Sequence, residues 1–158
     1  MISQRSRYAF KALFHLARAG TARSVPIREI AEEQSIPHAF LEHILRDLRR
    51  AGFVDSKRGK VGGYHLVRAP QDLSLAAVLR HVEGPVAPLS CLSRTAYKSC
   101  DDCADEAVCV LRRVFAEAFA VTLDVLQERS LADMLANAPL PARFEVVTEV
   151  RLKDGAGI

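Results

Sequence analysis

The chain has 158 residues, 49% of them hydrophobic and 26% charged, enough for about one ordinary domain with its own core plus an extension. No run approaches the roughly 18 apolar residues of a membrane span, and the opening Met1-Ile2-Ser3-Gln4-Arg5-Ser6-Arg7 lacks the apolar run and cleavage site of a secretory signal, so a cytoplasmic location is expected. The net charge of +3 conceals an asymmetry: residues 1–80 carry 14 Lys+Arg against 7 Asp+Glu, and residues 81–158 carry 8 against 12, which leaves a basic first half suited to a polyanion such as DNA.

Residues 4–19 are expected to form a helix, with Phe10, Leu13, Phe14 and Ala17 at i, i+3, i+4, i+7 and Gly20 as its stop. Ser24-Val25-Pro26 supplies a cap and an N1 proline for a short helix ending near Gln34, with Ile27, Ile30 and Ala31 inward. Ser35-Ile36-Pro37 breaks the chain. A third helix follows over about 38–51, its inner stripe Leu41, Ile44, Leu45 and Leu48, stopped by Gly52. Its other side offers His38, Glu42, His43, Arg46, Arg49 and Arg50.

Two short β runs, 53–57 and 64–68, flank Arg58-Gly59-Lys60-Val61-Gly62-Gly63, a hairpin with a basic tip. Helix, short helix, turn, helix and basic hairpin is the order of a winged helix–turn–helix. The third helix would enter the major groove tip first. That places His38, Ala39 and Glu42 near base edges, where Glu42 could accept from a cytosine amine or instead pair with Arg46 at i+4. Arg49 and Arg50 suit phosphates, Arg46 shares their DNA-facing side, and Arg58 and Lys60 suit a wing tip at the minor groove. Tyr8 and Tyr64 are read as packing residues.

A fourth helix spans about 73–82 and ends at Gly84-Pro85. Residues 85–105 form a long loop, a length that is uncommon inside a domain and often functional. The longest helix is expected from Glu106 to Glu128. Val108, Leu111, Phe115, Phe119, Thr122 and Leu126 make one apolar line, and Val110, Val114, Val121 and Val125 a second. A helix apolar on two sides must bury both, one on the domain and one on a partner, most simply the same helix of a second subunit. Ser130, with Asp133 at N3, starts a last short helix to about Asn137. Residues 144–150 could form a strand in the tail. The expected organisation is a DNA-binding domain over 1–84, a cysteine loop over 85–105, a dimerisation helix and short helix over 106–138, and a tail over 139–158.

All four cysteines fall within this last half: Cys91, Cys100, Cys103 and Cys109, spaced C-x8-C-x2-C-x5-C. Clustered thiols in a reducing compartment point to a metal or redox site. Thiolates bind iron and zinc alike. Zinc sites favour two short-spaced pairs, and only Cys100-Cys103 is one. A disulfide switch, with Cys91 and Cys109 as partners, is the other reading. No nucleophile–base pair or phosphate loop marks an enzyme. A cluster-carrying electron carrier is disfavoured by the basic half and wing.

These residues together resemble the bacterial iron–sulfur-cluster regulators and nitric-oxide-sensing repressors, a family of homodimeric winged-helix transcription factors. The resemblance spans about residues 3–135. It is carried by Arg7-Tyr8-Ala9, Ile27-Arg28-Glu29-Ile30-Ala31, Phe40-Leu41-Glu42, Leu48-Arg49-Arg50-Ala51-Gly52-Phe53-Val54, the wing from Arg58 to Leu66, and a cysteine loop before a long helix. It implies a mainly α fold, a winged helix–turn–helix with a long C-terminal dimerisation helix, and an operator DNA partner contacted from Glu42 and Arg58. It also implies one 2Fe-2S or 4Fe-4S cluster per subunit on Cys91, Cys103 and Cys109. Cys100 is additional, as a fourth ligand, a spare or a redox partner. Some relatives use a His three residues after the last cysteine, where this chain has Arg112. Others use an Asp in the first helix of the opposite subunit, where this chain has Arg7. Still other members lack a cluster and sense a ligand through a pocket beneath the dimer helix.

Overall fold

The computed structural model describes residues 2–59 and 61–136; Lys60 and the expected tail strand lie outside the described residues. Helix α1 (Gln4–Ala19) starts because the Ser3 side chain accepts the Ser6 N–H at 3.1 Å, and it stops at Gly20 with φ 83°. Its buried face is Ala9, Ala12, Leu13, Leu16 and Ala17. Phe10 and Phe14 sit at the margin, stacked on each other with centroids 6.1 Å apart. The expected stripe is thus rotated. Small alanines line the buried face, where neighbouring backbones approach closely, and the bulky rings take the flank.

Helix α2 (Ile27–Gln34) begins one residue later than an N1 proline implies, with Pro26 at the N-cap. The reason is local. The Val25 N–H donates to the Tyr64 carbonyl, and the Tyr64 N–H donates to the Val25 carbonyl, both at 2.8 Å. Val25 is therefore held extended and cannot join the helix. Ser35 ends α2 in the left-handed region, φ 52°, and Ile36 anchors the turn in the core. Helix α3 (His38–Arg50) buries Leu41, Ile44, Leu45 and Leu48, as the periodicity predicts. Strands β1 (Val54–Lys57) and β2 (Gly63–Leu66) pair antiparallel, Val54 opposite Leu66 and Lys57 opposite Gly63. They form a two-stranded wing, mounted on the helical trio through the Val25–Tyr64 bridge. A Cβ on Gly63 would lie 2.3 Å from the Val25 carbonyl carbon and oxygen, so only glycine permits that mounting.

Helix α4 (Leu75–Glu83) is capped by Ser74, whose side chain accepts the Ala77 N–H. It is tied to the start of α1 by the Ser3 N–H donating to Glu83 Oε1 at 2.7 Å. Helix α5 (Val110–Glu128) starts later than residue 106: a 3-10 turn over Glu106–Val108 comes first, and Cys109 is extended (φ −70°, ψ 113°). The Cys109 sulfur accepts the Arg112 N–H at 3.4 Å and so acts as the helix cap. No α5 residue is fully buried. Phe119, Leu123, Val125 and Leu126 are half-buried, and α5 packs against α4. Val110, Leu111, Val114, Phe115 and Val121 are exposed. The two expected apolar lines are therefore not divided into a covered and an open side: Val108, Leu111 and Phe115 of the first and Val110, Val114 and Val121 of the second are exposed, and contact with the domain is made by Phe119, Val125 and Leu126 in the second half of the helix.

Helix α6 (Leu131–Leu135) carries a full capping box. The Ser130 N–H and hydroxyl donate to Asp133 Oδ2 at 2.8 and 2.6 Å, and the Asp133 N–H donates back to Ser130 Oγ at 3.2 Å. Leu131 is wholly buried, its N–H donates to the Leu73 carbonyl at 2.9 Å, and α6 packs on α1. The chain therefore leaves the helical core along α5 and returns to it at Leu131.

Candidate nucleic-acid interface and cysteine site

The apolar stripe of α3 fixes what its other face shows. His38, Ala39, Glu42, His43, Arg46, Arg49 and Arg50 are all exposed. Arg46 donates to Glu42 Oε1 at 2.9 Å, so in the free protein both ends of this i,i+4 pair are engaged. Arg49 Nε donates to Asp55 Oδ1 at 2.9 Å and joins the last turn of α3 to the wing. The Ser56 N–H, and then Arg49, hold the Asp55 carboxyl below the usual carboxylate range. Arg50 lies 3.6 Å from Asp47, which also binds Arg5. Arg58 is exposed in the wing tip, with no ion pair to another described residue.

Sequence reasoning passed over two features of this face. Phe40 is 44% exposed and meets Tyr8 edge-on at 5.7 Å, an apolar ring beside the polar face of α3. The Ser24 hydroxyl lies 3.4 Å from His65 Nδ1 and links the turn before α2 to the wing. An aromatic one position before the buried stripe is a readable sign of the first. The second depends on a pairing 41 residues apart and leaves no local signal.

The cysteine loop is less open than its length suggests. Cys91 sits in a 3-10 turn (Ser90–Leu92) and is 6% exposed; Cys103 and Cys109 are half-buried and Cys100 is exposed. The Lys98 N–H donates to the Ser90 carbonyl at 3.3 Å, folding the segment back. That brings the Cys100 sulfur into the electrostatic neighbourhood of Cys91, while the Cys103 N–H donates to the Cys100 carbonyl at 3.3 Å. All four thiols are free. Partial desolvation, then the Cys91 and Cys103 sulfurs, raise the Cys100 thiol above its ordinary range. Desolvation, then Cys109 and Glu106, do the same to Cys103.

Among the described residues no three His, Cys, Asp or Glu side chains already stand in a metal-holding arrangement. The chemistry of the donor set nonetheless fits an iron–sulfur group. Four soft sulfurs are electrostatic neighbours, and as thiolates they would repel one another unless a cationic centre lay between them. Arg112, in the place of a histidine ligand, has its Nε 3.3 Å from Glu106 Oε2, and the Tyr97 hydroxyl donates to Glu106 Oε1 at 2.6 Å. This polar string ties the loop to α5. It has no periodicity, and sequence reasoning did not find it. Arg7 is exposed on α1.

Residues 2–137 match the family model Rrf2, described as an iron-dependent transcriptional regulator. An rrf2-like HTH-type transcriptional regulator of Rhodobacter capsulatus is 51% identical over 139 residues, covering 86% of this chain and 93% of that protein. Among solved structures, CymR, the global cysteine regulator of B. subtilis, superposes with a TM-score of 0.72 at 25% identity, over 88% of this chain and 98% of that one. T. potens IscR superposes with a TM-score of 0.69 at 30% identity, over 88% of each chain. With the winged helix–turn–helix already built from the residues, the conclusion is direct: this chain belongs to the Rrf2 family and is a DNA-binding transcriptional regulator, not an enzyme.

Proposed function

We propose that the protein is a homodimeric regulator whose cysteine loop holds an iron–sulfur cluster and adjusts operator binding to the state of that cluster. The observation that carries the reading is the gathering of four thiols at the N-terminal end of α5, one of them serving as that helix's cap. Cys91, Cys103 and Cys109 would hold the cluster, with Cys100 as the fourth thiolate. When bound, the cluster supplies iron that reacts with oxidants and nitric oxide.

The rest is done by the chain. Buried Cys91 roots the loop in the core, Cys109 fixes where α5 begins, and the Tyr97–Glu106–Arg112 string holds loop and helix together. The open apolar face of α5 supports a second copy as its cover. Two half-sites about one helical turn apart must be met together, so a change at the start of α5 alters the spacing of the two α3 helices. In this reading His38, Ala39 and Glu42 meet bases, Arg46, Arg49 and Arg50 meet phosphates, and Arg58 and Lys60 serve the wing. The test is anaerobic purification with iron and sulfide assayed on one sample. Matched iron and sulfide with a visible absorption band support the cluster, and a colourless protein binding neither after reconstitution rejects it.

The Cys100 sulfur, folded back beside Cys91, favours a second reading, a thiol switch. The two thiols would give two electrons and two protons to a peroxide, which leaves as alcohol and water while the sulfurs join. That pairing differs from the Cys91–Cys109 partnership expected from sequence. A peptide map after peroxide treatment distinguishes them.

A further inference from the structure

Beyond the cysteines, a cavity of about 550 Å³ lies between the C-terminal end of α4, the segments 84–87 and 93–96, and the second half of α5. That volume falls in the range of roughly 300–1,000 Å³ typical of small-molecule sites. Its lining is divided. Phe119 and Leu123 of α5 supply an apolar wall, and two exposed arginines, Arg80 and Arg94, line the cavity from separate segments. Ser93 and Thr95 add hydroxyls. The Ser93 oxygen accepts the Ala96 N–H at 3.0 Å, which leaves its own proton to donate. Neither arginine pairs with a carboxylate among the described residues, although seven other arginines of the chain do. Of the acidic groups near them in sequence, Glu83 takes the Ser3 N–H, Asp101 lies 3.7 Å from Lys98 and Asp105 takes the Ala107 N–H.

From this arrangement we infer a binding site for a small amphipathic anion, with its apolar body against Phe119 and Leu123 and its carboxylate or phosphoryl head between Arg80 and Arg94. Two unpaired cations at the mouth of an apolar hollow are electrostatically complementary to one such ligand, and hydroxyl donors beside them suit its oxygens. Ser93 and Thr95 stand two and four residues beyond Cys91, so the ligand would grip the same loop that carries the thiols. The site does not depend on the cluster. It gives the regulator a second input, with the ligand ordering the loop from the α4 side.

The test is a fluorescence titration of the full chain with 8-anilinonaphthalene-1-sulfonate, an amphipathic anion, and with its uncharged counterpart N-phenyl-1-naphthylamine. The inference expects saturable binding of the anion, one per chain, at least about tenfold tighter than the neutral probe. It expects Arg80→Gln with Arg94→Gln to remove most of that preference, and Val121→Ser, on the exposed α5 face, to leave it unchanged. Absence of saturable binding, equal affinity for both probes, or a loss caused by Val121→Ser instead would overturn it. That last outcome would assign the signal to the face of α5 that a second copy covers. If the double arginine variant fails to fold, the charged-versus-neutral comparison on the unmodified chain still decides.

Discussion

Replacing Gly63 by alanine should unseat the wing. A Cβ there would come within 2.3 Å of Val25 C and O and 2.7 Å of Pro26 N, all of them backbone atoms that cannot swing aside. The residue also sits at φ 153°, a torsion that side chains disfavour. Relief requires the Val25 segment to move, which breaks the two 2.8 Å hydrogen bonds between Val25 and Tyr64. Each is worth about 0.5–1.5 kcal/mol net, and the torsion adds about 1–3 kcal/mol, for a total of about 2–6 kcal/mol. For a chain of this size that lowers Tm by roughly 5–20 °C. Gly59→Ala is the control: φ is 110° there, but a Cβ meets nothing within 4 Å, so only the torsional part applies. Thermal unfolding followed by circular dichroism reads both variants. A Gly63→Ala protein within about 1 °C of the parent, or no less stable than Gly59→Ala, would refute the reasoning.

At the α6 cap, the Ser130 side chain and then its N–H hold the Asp133 carboxyl below the usual carboxylate range. A depressed folded-state pKa means the cap's contribution is complete above the unfolded value of about 3.9 and is lost as pH falls through the folded one. Ser130→Ala should cost about 1 kcal/mol at neutral pH and somewhat less in acid, where the bonds to the Asp133 carboxylate weaken while the bond from the Asp133 N–H to Ser130 Oγ persists, as denaturation curves at pH 7 and in acid would show. Arg58→Ala should weaken DNA binding evenly across sequences and reduce the salt slope by about one, whereas Glu42→Ala should change which base is preferred at one position, by roughly 1–3 kcal/mol. Binding isotherms at several salt concentrations on operator variants separate the two. Cys103→Ser should retain the parent circular dichroism spectrum, because the side chain is half-buried outside the core, while losing iron and the response of DNA binding to it.

The helix–turn–helix was legible because its signals are local. The Leu41-Ile44-Leu45-Leu48 stripe, the glycine stops and the Ser130–Asp133 box each act within a turn or two. What escaped depends on partners distant in sequence. Val25 reads as part of a helix cap until Tyr64, 39 residues on, takes it into the wing. The rotation of the buried face on α1 is decided by which neighbours approach closest, and the start of α5 by a sulfur that caps rather than by apolar spacing. The thiol cluster was visible as composition. That Cys100 turns back onto Cys91 follows from a backbone hydrogen bond between Lys98 and Ser90, which spacing alone does not encode.

The central claim is that the state of the cysteine loop sets operator affinity. It is tested most directly by fluorescence anisotropy on a DNA site selected from a random library, using one anaerobic preparation before and after its iron is removed by a chelator. The account predicts an affinity change of tenfold or more in the parent chain and none in Cys103→Ser. Equal affinity of the two parent forms, with iron loss verified by assay, would contradict it.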